Sequence, residues 1–258
     1  MAQINDMAGV KSQYARTTGL NTRIFLHDKY SENRQPFGDW IVGHYVIPRG
    51  SRVLELGCGT GVMWRGHLDL VDGSELILSD FSQAMLDAAR QNLGDQPNVR
   101  YERIDIQKIP YPDESFHVVI ANMMLYHAPD LDGAIREARR VLKPGGRFYC
   151  ATFGEHGHNW HIAQMLAEYG VRWETAAPFT LQNGAARLSA CFSHVERIDR
   201  EDALRVTDAG DLADYVLSCV GISGLEGMTR ERLSGIFQTK MTHGALRLPK
   251  EYGLFICQ

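Results

Sequence analysis

Residues 53–61 read VLELGCGTG, a short apolar run that passes directly into three glycines at alternating positions. Four apolar or strand-compatible residues followed by G-x-G-x-G describe a buried strand that ends in a sharp turn. Gly57, Gly59 and Gly61 carry no Cβ. The backbone there can turn tightly, and a ligand can approach its N–H groups at the carboxyl end of the strand, where open α/β sheets bind ligands. The dinucleotide fingerprint needs G-x-G-x-x-G, and position 62 is Val, so a pyrophosphate is the weaker expectation.

Outward from this loop the chain alternates strand and helix. Strands are predicted at 52–56, 75–79, 99–103, 116–121 and 147–152. Between them lie helical patterns at 82–92, where Ala84, Met85, Ala88 and Ala89 share a face, and at 131–142, which stops at the Lys-Pro-Gly-Gly turn. Such alternation demands a parallel sheet with right-handed crossovers. The expected fold class is therefore α/β: a doubly wound, Rossmann-like sheet, mostly parallel, with helices on both faces. After Phe153 the pattern predicts a helix from about 158 to 169, a strand near 194–199, two helices and a last strand at 252–257 that runs antiparallel.

Composition narrows the function classes. Of 258 residues, 44% are hydrophobic and 22% charged, as in a packed globular protein. Twenty-seven Lys and Arg against 31 Asp and Glu leave a net charge of −4, which offers no field for a phosphate backbone, so no nucleic-acid partner is expected. No stretch approaches the roughly eighteen apolar residues that span a bilayer, and the opening MAQINDMAGVKSQYARTTG has no apolar block behind a basic start. Five widely spaced cysteines without a C-x-x-C pair read as reduced thiols in a cytoplasm.

Asp80, at the end of the strand after the glycine loop, is where a carboxylate can accept both hydroxyls of a ribose; the competing reading is a cap for the helix starting at Ser82. Beyond this point the sequence resembles the class I S-adenosylmethionine-dependent methyltransferases, of the bacterial small-molecule type with a ubiquinone-biosynthesis-like domain. The resemblance rests on VLELGCGTG at 53–61, LSDFSQAMLDAAR at 78–90, IDIQKIPYPDESFHVVIANMMLYH at 104–127 and RRVLKPGGRFY at 139–149. It implies S-adenosylmethionine as cofactor, with Gly57, Cys58, Gly59 and Gly61 under the methionine part and Glu55 as a neighbouring polar contact. Asp80 would hold the ribose, Phe81 and Met85 would flank the adenine, Asp105 would accept the adenine amine, Ile106 would pack on the ring, and Asn122 would lie near the sulfonium. No chemistry of its own is given to Cys58.

The resemblance further implies that residues 1–47 form an N-terminal helical lid on a single methyltransferase domain of residues 48–258, with acceptor-site elements in 153–190. Polar residues concentrate in that first segment: Tyr14, Arg16, Arg23, His27, Tyr30 and Asn33. Methyl transfer from a sulfonium is an in-line displacement, so the protein chiefly aligns donor and acceptor, excludes water and removes a proton where needed. His127 is the expected base, because an ordinary imidazole titrates near neutrality, and Tyr14 is the expected phenol at the reacting centre. Asp130 reads as a helix cap. His156, His158 and His161 suggest a polar pocket wall rather than a metal site, and no metal is expected.

The function expected is methylation of a small molecule on O, N or C, in the manner of secondary metabolism, with a second copy of the chain as an expected partner. The alternatives are a protein that binds the cofactor without turning it over, a nicotinamide oxidoreductase, and a methyltransferase of nucleic-acid bases. The last is disfavoured by Ala121-Asn122-Met123-Met124 where a Pro-Pro-aromatic motif would stand.

Overall fold

The computed structural model describes residues 17–173, 177–219 and 221–258. These pack into two compact units: a sheet unit drawn from Gln35–Thr152, Pro178–Asp199 and Gly253–Gln258, and a helical unit drawn from the described residues of Met1–Arg34, Phe153–Ala177 and Arg200–Tyr252.

The sheet unit is built on β1 (Arg52–Leu56), β2 (Glu75–Asp80), β3 (Val99–Arg103), β4 (Phe116–Ile120) and β5 (Leu142–Phe153), all parallel in the order β3-β2-β1-β4-β5. Two long strands, β9 (Leu246–Cys257) and then β7 (Val195–Val206), complete a seven-stranded sheet. The last strand runs antiparallel. Cys257 lies beside Cys150 of β5 while Glu251 accepts from Gly154, so the two chains run in opposite senses. Registers such as Val53↔Leu76 and Leu54↔Ile77 align residues that alternate between faces. Val53, Leu76, Val118 and Tyr149 pack with Ile41 and Trp64, and Leu54, Ile77, Val119 and Phe148 are equally buried on the other face. A sheet covered on both faces explains why central strands such as β4 read as nearly continuous apolar runs.

Helices follow from local patterns. In α3 (Gln83–Leu93) the buried residues are Leu86, Ala89 and Leu93, one stripe at helical spacing, and the helix ends at Gly94 with φ +75°. In α4 (Leu131–Val141) the stripe is Leu131, Ala134, Ile135, Ala138 and Val141, and Asp130 caps it by accepting the Gly133 N–H at 2.9 Å. Each fully buried Leu or Ile on such a stripe contributes about 1.5–3 kcal/mol relative to exposure. Before β1 come α1 (Thr17–Tyr30) and α2 (Phe37–Val42). The sheet unit takes in the chain from Gln35 onward: Ile41 belongs to the sheet core, and the Val46 N–H donates to the Tyr149 hydroxyl at 3.0 Å.

The helical unit gathers Leu26 of α1, Ile162 of α5 (His158–Met165), Leu212 and Val216 of α7 (Ala209–Ser218) and Phe237 of α8 (Arg230–Lys240) into its own core. Asp208 and Thr229 cap α7 and α8. The helix expected over 158–169 stops at Met165 and continues as a 3-10 turn at Ala167–Tyr169, closed by left-handed Gly170. The antiparallel pair β6 (Arg172–Trp173) and β8 (Ile222–Ser223) has no strand pattern in the sequence, because two-residue strands are too short to show one.

Candidate functional site

The parallel register sets the carboxyl ends of β1, β2 and β3 side by side, with Leu56 opposite Ser79 and Asp80 opposite Arg103. At this rim the three glycines perform different tasks, although all have positive φ, +70°, +55° and +68°. A Cβ on Gly57 would stand 2.8 Å from Met124 Cγ, and one on Gly61 would stand 3.0 Å from Leu93 and 3.1 Å from Ala89 of α3. Those two positions need glycine for packing. Among the described residues a Cβ on Gly59 would meet nothing within 4 Å, so its bareness faces open space.

Asp80 braces the loop. Its Oδ2 accepts the Gly59 N–H at 3.0 Å and its Oδ1 the Ser82 N–H at 2.8 Å. Ser82, not Asp80, occupies the cap position of α3. A carboxylate has about four acceptor sites, so two hydrogen bonds leave capacity for the hydroxyls of a ligand. Glu55 is only 3% exposed and accepts the Trp64 indole N–H at 2.5 Å. Burial raises its pKa to about 7; the Trp64 bond opposes that rise and the Asp80 charge adds to it. Burial, and then the charges of Glu55 and Asp80, push the Cys58 thiol up, so it is no nucleophile.

Beyond β3, the half-buried Asp105 accepts from the Gln107 backbone N–H at 2.9 Å and from its side-chain amide at 3.2 Å, and Ile106 is buried. Phe81 is 38% exposed, with the Arg103 guanidinium 5.3 Å above its ring, and Met85 is half-buried on α3. Asn122 follows the end of β4. It is buried, its Oδ1 accepts the Ala151 N–H at 3.1 Å, and its Nδ2 donates to the Tyr45 hydroxyl at 2.5 Å, so both ends of the amide are committed to bracing. Neither Tyr45 nor Trp64 was legible as a site residue. Both are single aromatics outside any motif, and only the fold brings them to the end of β1 and β4.

His127 closes the 3-10 turn Leu125–His127 after β4, half-buried, with its ring 4.5 Å from that of Tyr126. Tyr14 and Arg16 lie outside the described residues. The other polar residues of the first segment are spent within the helical unit. Arg23 donates to the Ser218 carbonyl at 2.7 Å, the Tyr30 hydroxyl donates to Asp211 at 2.6 Å, and the Asn33 side chain donates to the Glu201 carbonyl at 3.0 Å.

The later histidines have different surroundings: His156 and His161 both lie against Trp160, and His158 does not share that contact among those described. His158 is buried, with Nε2 2.7 Å from the Tyr215 hydroxyl, which in turn donates to Asn159 at 2.9 Å. The His27 ring stands edge-on to His158 at 5.0 Å. His156 instead packs on Trp160, and its backbone N–H donates to Glu251. Gly157, which precedes α5, separates His156 from His158, and the two have different surroundings. Burial, and then the Lys250 charge, holds His27 down at about pKa 3, and burial holds His158 well below its ordinary value. Among the described residues no group of His, Cys, Asp and Glu has the arrangement of a metal site, and no helix is long and apolar enough to cross a membrane.

Residues 54–150 match the family model described as a methyltransferase domain. Malonyl-[acyl-carrier protein] O-methyltransferase of Halorhodospira halophila is 41% identical over 109 residues, which are 42% of this chain and 36% of that protein. The ubiquinone/menaquinone biosynthesis C-methyltransferase UbiE of Ectopseudomonas mendocina is 35% identical over 140 residues, 53% of this chain and 54% of its own length. The chain thus spans between about a third and about half of the length of these curated relatives. Among solved structures, the YcgJ protein of Bacillus subtilis superposes with a TM-score of 0.57 at 18% identity, covering 85% of this chain and 96% of that one, which is a likeness of fold.

Proposed function

We propose that this chain, which carries a class I S-adenosylmethionine-dependent methyltransferase domain, transfers the methyl group of that cofactor to a small-molecule acceptor. One observation carries the reading: the bare position at Gly59 opens beside the Asp80 carboxylate, at the shared carboxyl ends of β1 and β2. The donor set suits an adenosyl sulfonium. Gly57, Gly59 and Gly61 would lie under its methionine part, and Glu55 and Cys58 beside them. Asp80 would take the ribose hydroxyls, and Phe81, Met85, Asp105 and Ile106 the adenine.

When bound, S-adenosylmethionine supplies a methyl carbon made electrophilic by its sulfonium. The residues of this chain orient and shield. Asp80 and Asp105 fix the two ends of the adenosine through charge-assisted hydrogen bonds. The carboxylates also match the cation by Coulomb attraction. His127, one turn beyond β4, would take the proton of a hydroxyl or amine acceptor. Asn122 would act by holding the strand ends in register rather than by touching the cofactor. The two named relatives, one an O- and one a C-methyltransferase, match this chain over 42% and 53% of its length, and residues 54–150 match the methyltransferase family model. That supports reading residues 54–150 as the donor half of the site, with the acceptor chosen elsewhere in the chain.

Titration calorimetry tests the reading. S-adenosylhomocysteine should bind in the micromolar range, NAD(H) should not, and Asp80→Ala should weaken binding by about 1.5–3 kcal/mol, the scale of hydrogen bonds to a charged acceptor. Binding of NAD(H) without S-adenosylhomocysteine would overturn it. Release of S-adenosylhomocysteine with a panel of phenols, indoles and amines would then identify the acceptor class.

A further inference from the structure

Met123 joins β4 to the turn that carries His127, and its φ is +52°, a conformation that residues with a side chain adopt rarely. Strain of this kind persists only where the surroundings over-determine it. Here β5 grips two consecutive residues through one of its own: the Met123 N–H donates to the Ala151 carbonyl at 2.8 Å, and the Ala151 N–H donates to Asn122 Oδ1 at 3.1 Å. The Asn122 amide can serve β5 in only one of its two orientations, because an N–H donor needs the oxygen end. Its NH₂ group must then find an acceptor, and the Tyr45 hydroxyl is that acceptor, at 2.5 Å.

Tyr45 is itself fixed. Its ring lies 5.0 Å from that of Tyr149 and 6.2 Å from that of Trp64, and the next residue, Val46, is tied through its N–H to the Tyr149 hydroxyl. Downstream, the strained residue governs both sides of the rim. The Met124 side chain occupies the space over Gly57, and the Met124 carbonyl accepts the His127 N–H at 2.9 Å.

We propose that the Tyr45 hydroxyl is a positioning group: by orienting the Asn122 amide it holds Met123 in its left-handed conformation, and so sets Met124 against the glycine loop and His127 at the rim. The inference rests on the proposed function for its catalytic meaning. Its structural content is independent of it.

Hydrogen exchange of the ligand-free protein, followed by mass spectrometry over residues 122–128, tests that content. Tyr45→Phe keeps the ring and removes only the acceptor, and exchange of this segment should rise about tenfold, the size of one buried hydrogen bond. Glycine tolerates a φ of +52° without strain, so in a Met123→Gly background the same Tyr45→Phe change should raise exchange less than about threefold. Equal ratios in the two backgrounds, or no change in the first, would overturn the proposal, because loss of packing alone is indifferent to residue 123. Should Tyr45→Phe not fold, Asn122→Ala, which removes the Tyr45 bond and the Ala151 bond together, must raise exchange at least about tenfold, and again by less in the Met123→Gly background.

In the turnover assay, Tyr45→Phe should lower kcat about tenfold, as small misplacements of reacting groups do, with S-adenosylhomocysteine affinity kept within about threefold. An unchanged kcat overturns the positioning role. Failure of the wild-type protein to bind S-adenosylhomocysteine overturns the proposed function instead, and the exchange ratios still decide the role of Tyr45.

Discussion

At the rim of the sheet, Asp80 and Asp105 are half-buried; Asp80 accepts the Gly59 and Ser82 N–H groups and Asp105 the backbone and side-chain N–H groups of Gln107, so each keeps acceptor capacity. Inside the helical unit, Asp202 is fully buried and divides its carboxylate among Lys250, Arg200 and the Asn33 N–H. The histidines differ in burial. His127 is half-buried on a turn, while His158 is locked to Tyr215 and His27 has a buried Nδ1 with no hydrogen-bond partner among the described residues. The two regions hold the same residue types, and what separates a group available for chemistry from one spent on structure is burial and the number of partners already engaged.

The largest expected effect sharpens the contrast between histidines. His127→Ala should lower kcat by roughly 10²–10⁴-fold, the range for loss of a general base, with cofactor affinity little changed. His158→Asn should instead lower thermal stability and leave kcat of the folded protein within about twofold. Steady-state kinetics beside thermal melts would break the comparison if the two variants lost activity alike.

Next in size is a pair of opposed pH dependences. His27 has its folded pKa depressed to about 3, so its contribution is present in full above its ordinary 6.5 and is lost as pH falls toward 3. Glu55 has its folded pKa raised to about 7, so its contribution is present in full below its ordinary 4.5 and is lost as pH rises toward 7. Between about pH 4.5 and 6.5 the two slopes oppose each other, each near 1.4 kcal/mol per pH unit. Urea unfolding at several pH values should show Glu55→Gln steepening the gain of stability with rising pH, and His27→Gln flattening it. Slopes that shift in the same direction would mean that one of the two groups does not sit as described.

The smallest effect separates glycines within the rim. Gly57→Ala adds a methyl against Met124 to the cost of a left-handed residue and should destabilise by about 2–3 kcal/mol. Gly59→Ala meets no neighbour among the described residues and should cost only about 1 kcal/mol, yet it should weaken S-adenosylhomocysteine binding the more clearly of the two relative to its stability cost. Melts and calorimetry on the pair would refute the assignment of open space at Gly59 if affinity did not change.

The sequence by itself determined the features whose physics is local. Apolar runs, one helical stripe and a G-x-G-x-G turn are set by residues within a few positions of each other, so the parallel sheet, α3, α4, the Asp130 cap, the glycine loop and the place of Asp80 and Asp105 at strand ends could be read directly. The tertiary structure decided everything that depends on which distant side chains meet. Tyr45 reaches Asn122 across 77 positions and His158 reaches Tyr215 across 57, and no spacing rule encodes either contact. The same holds for the two-residue strands β6 and β8 and for the division at Gln35. A side chain's type fixes what bonds it can make; whether those bonds are already made, and hence whether the group is left for a ligand, is set by packing between segments far apart in the chain.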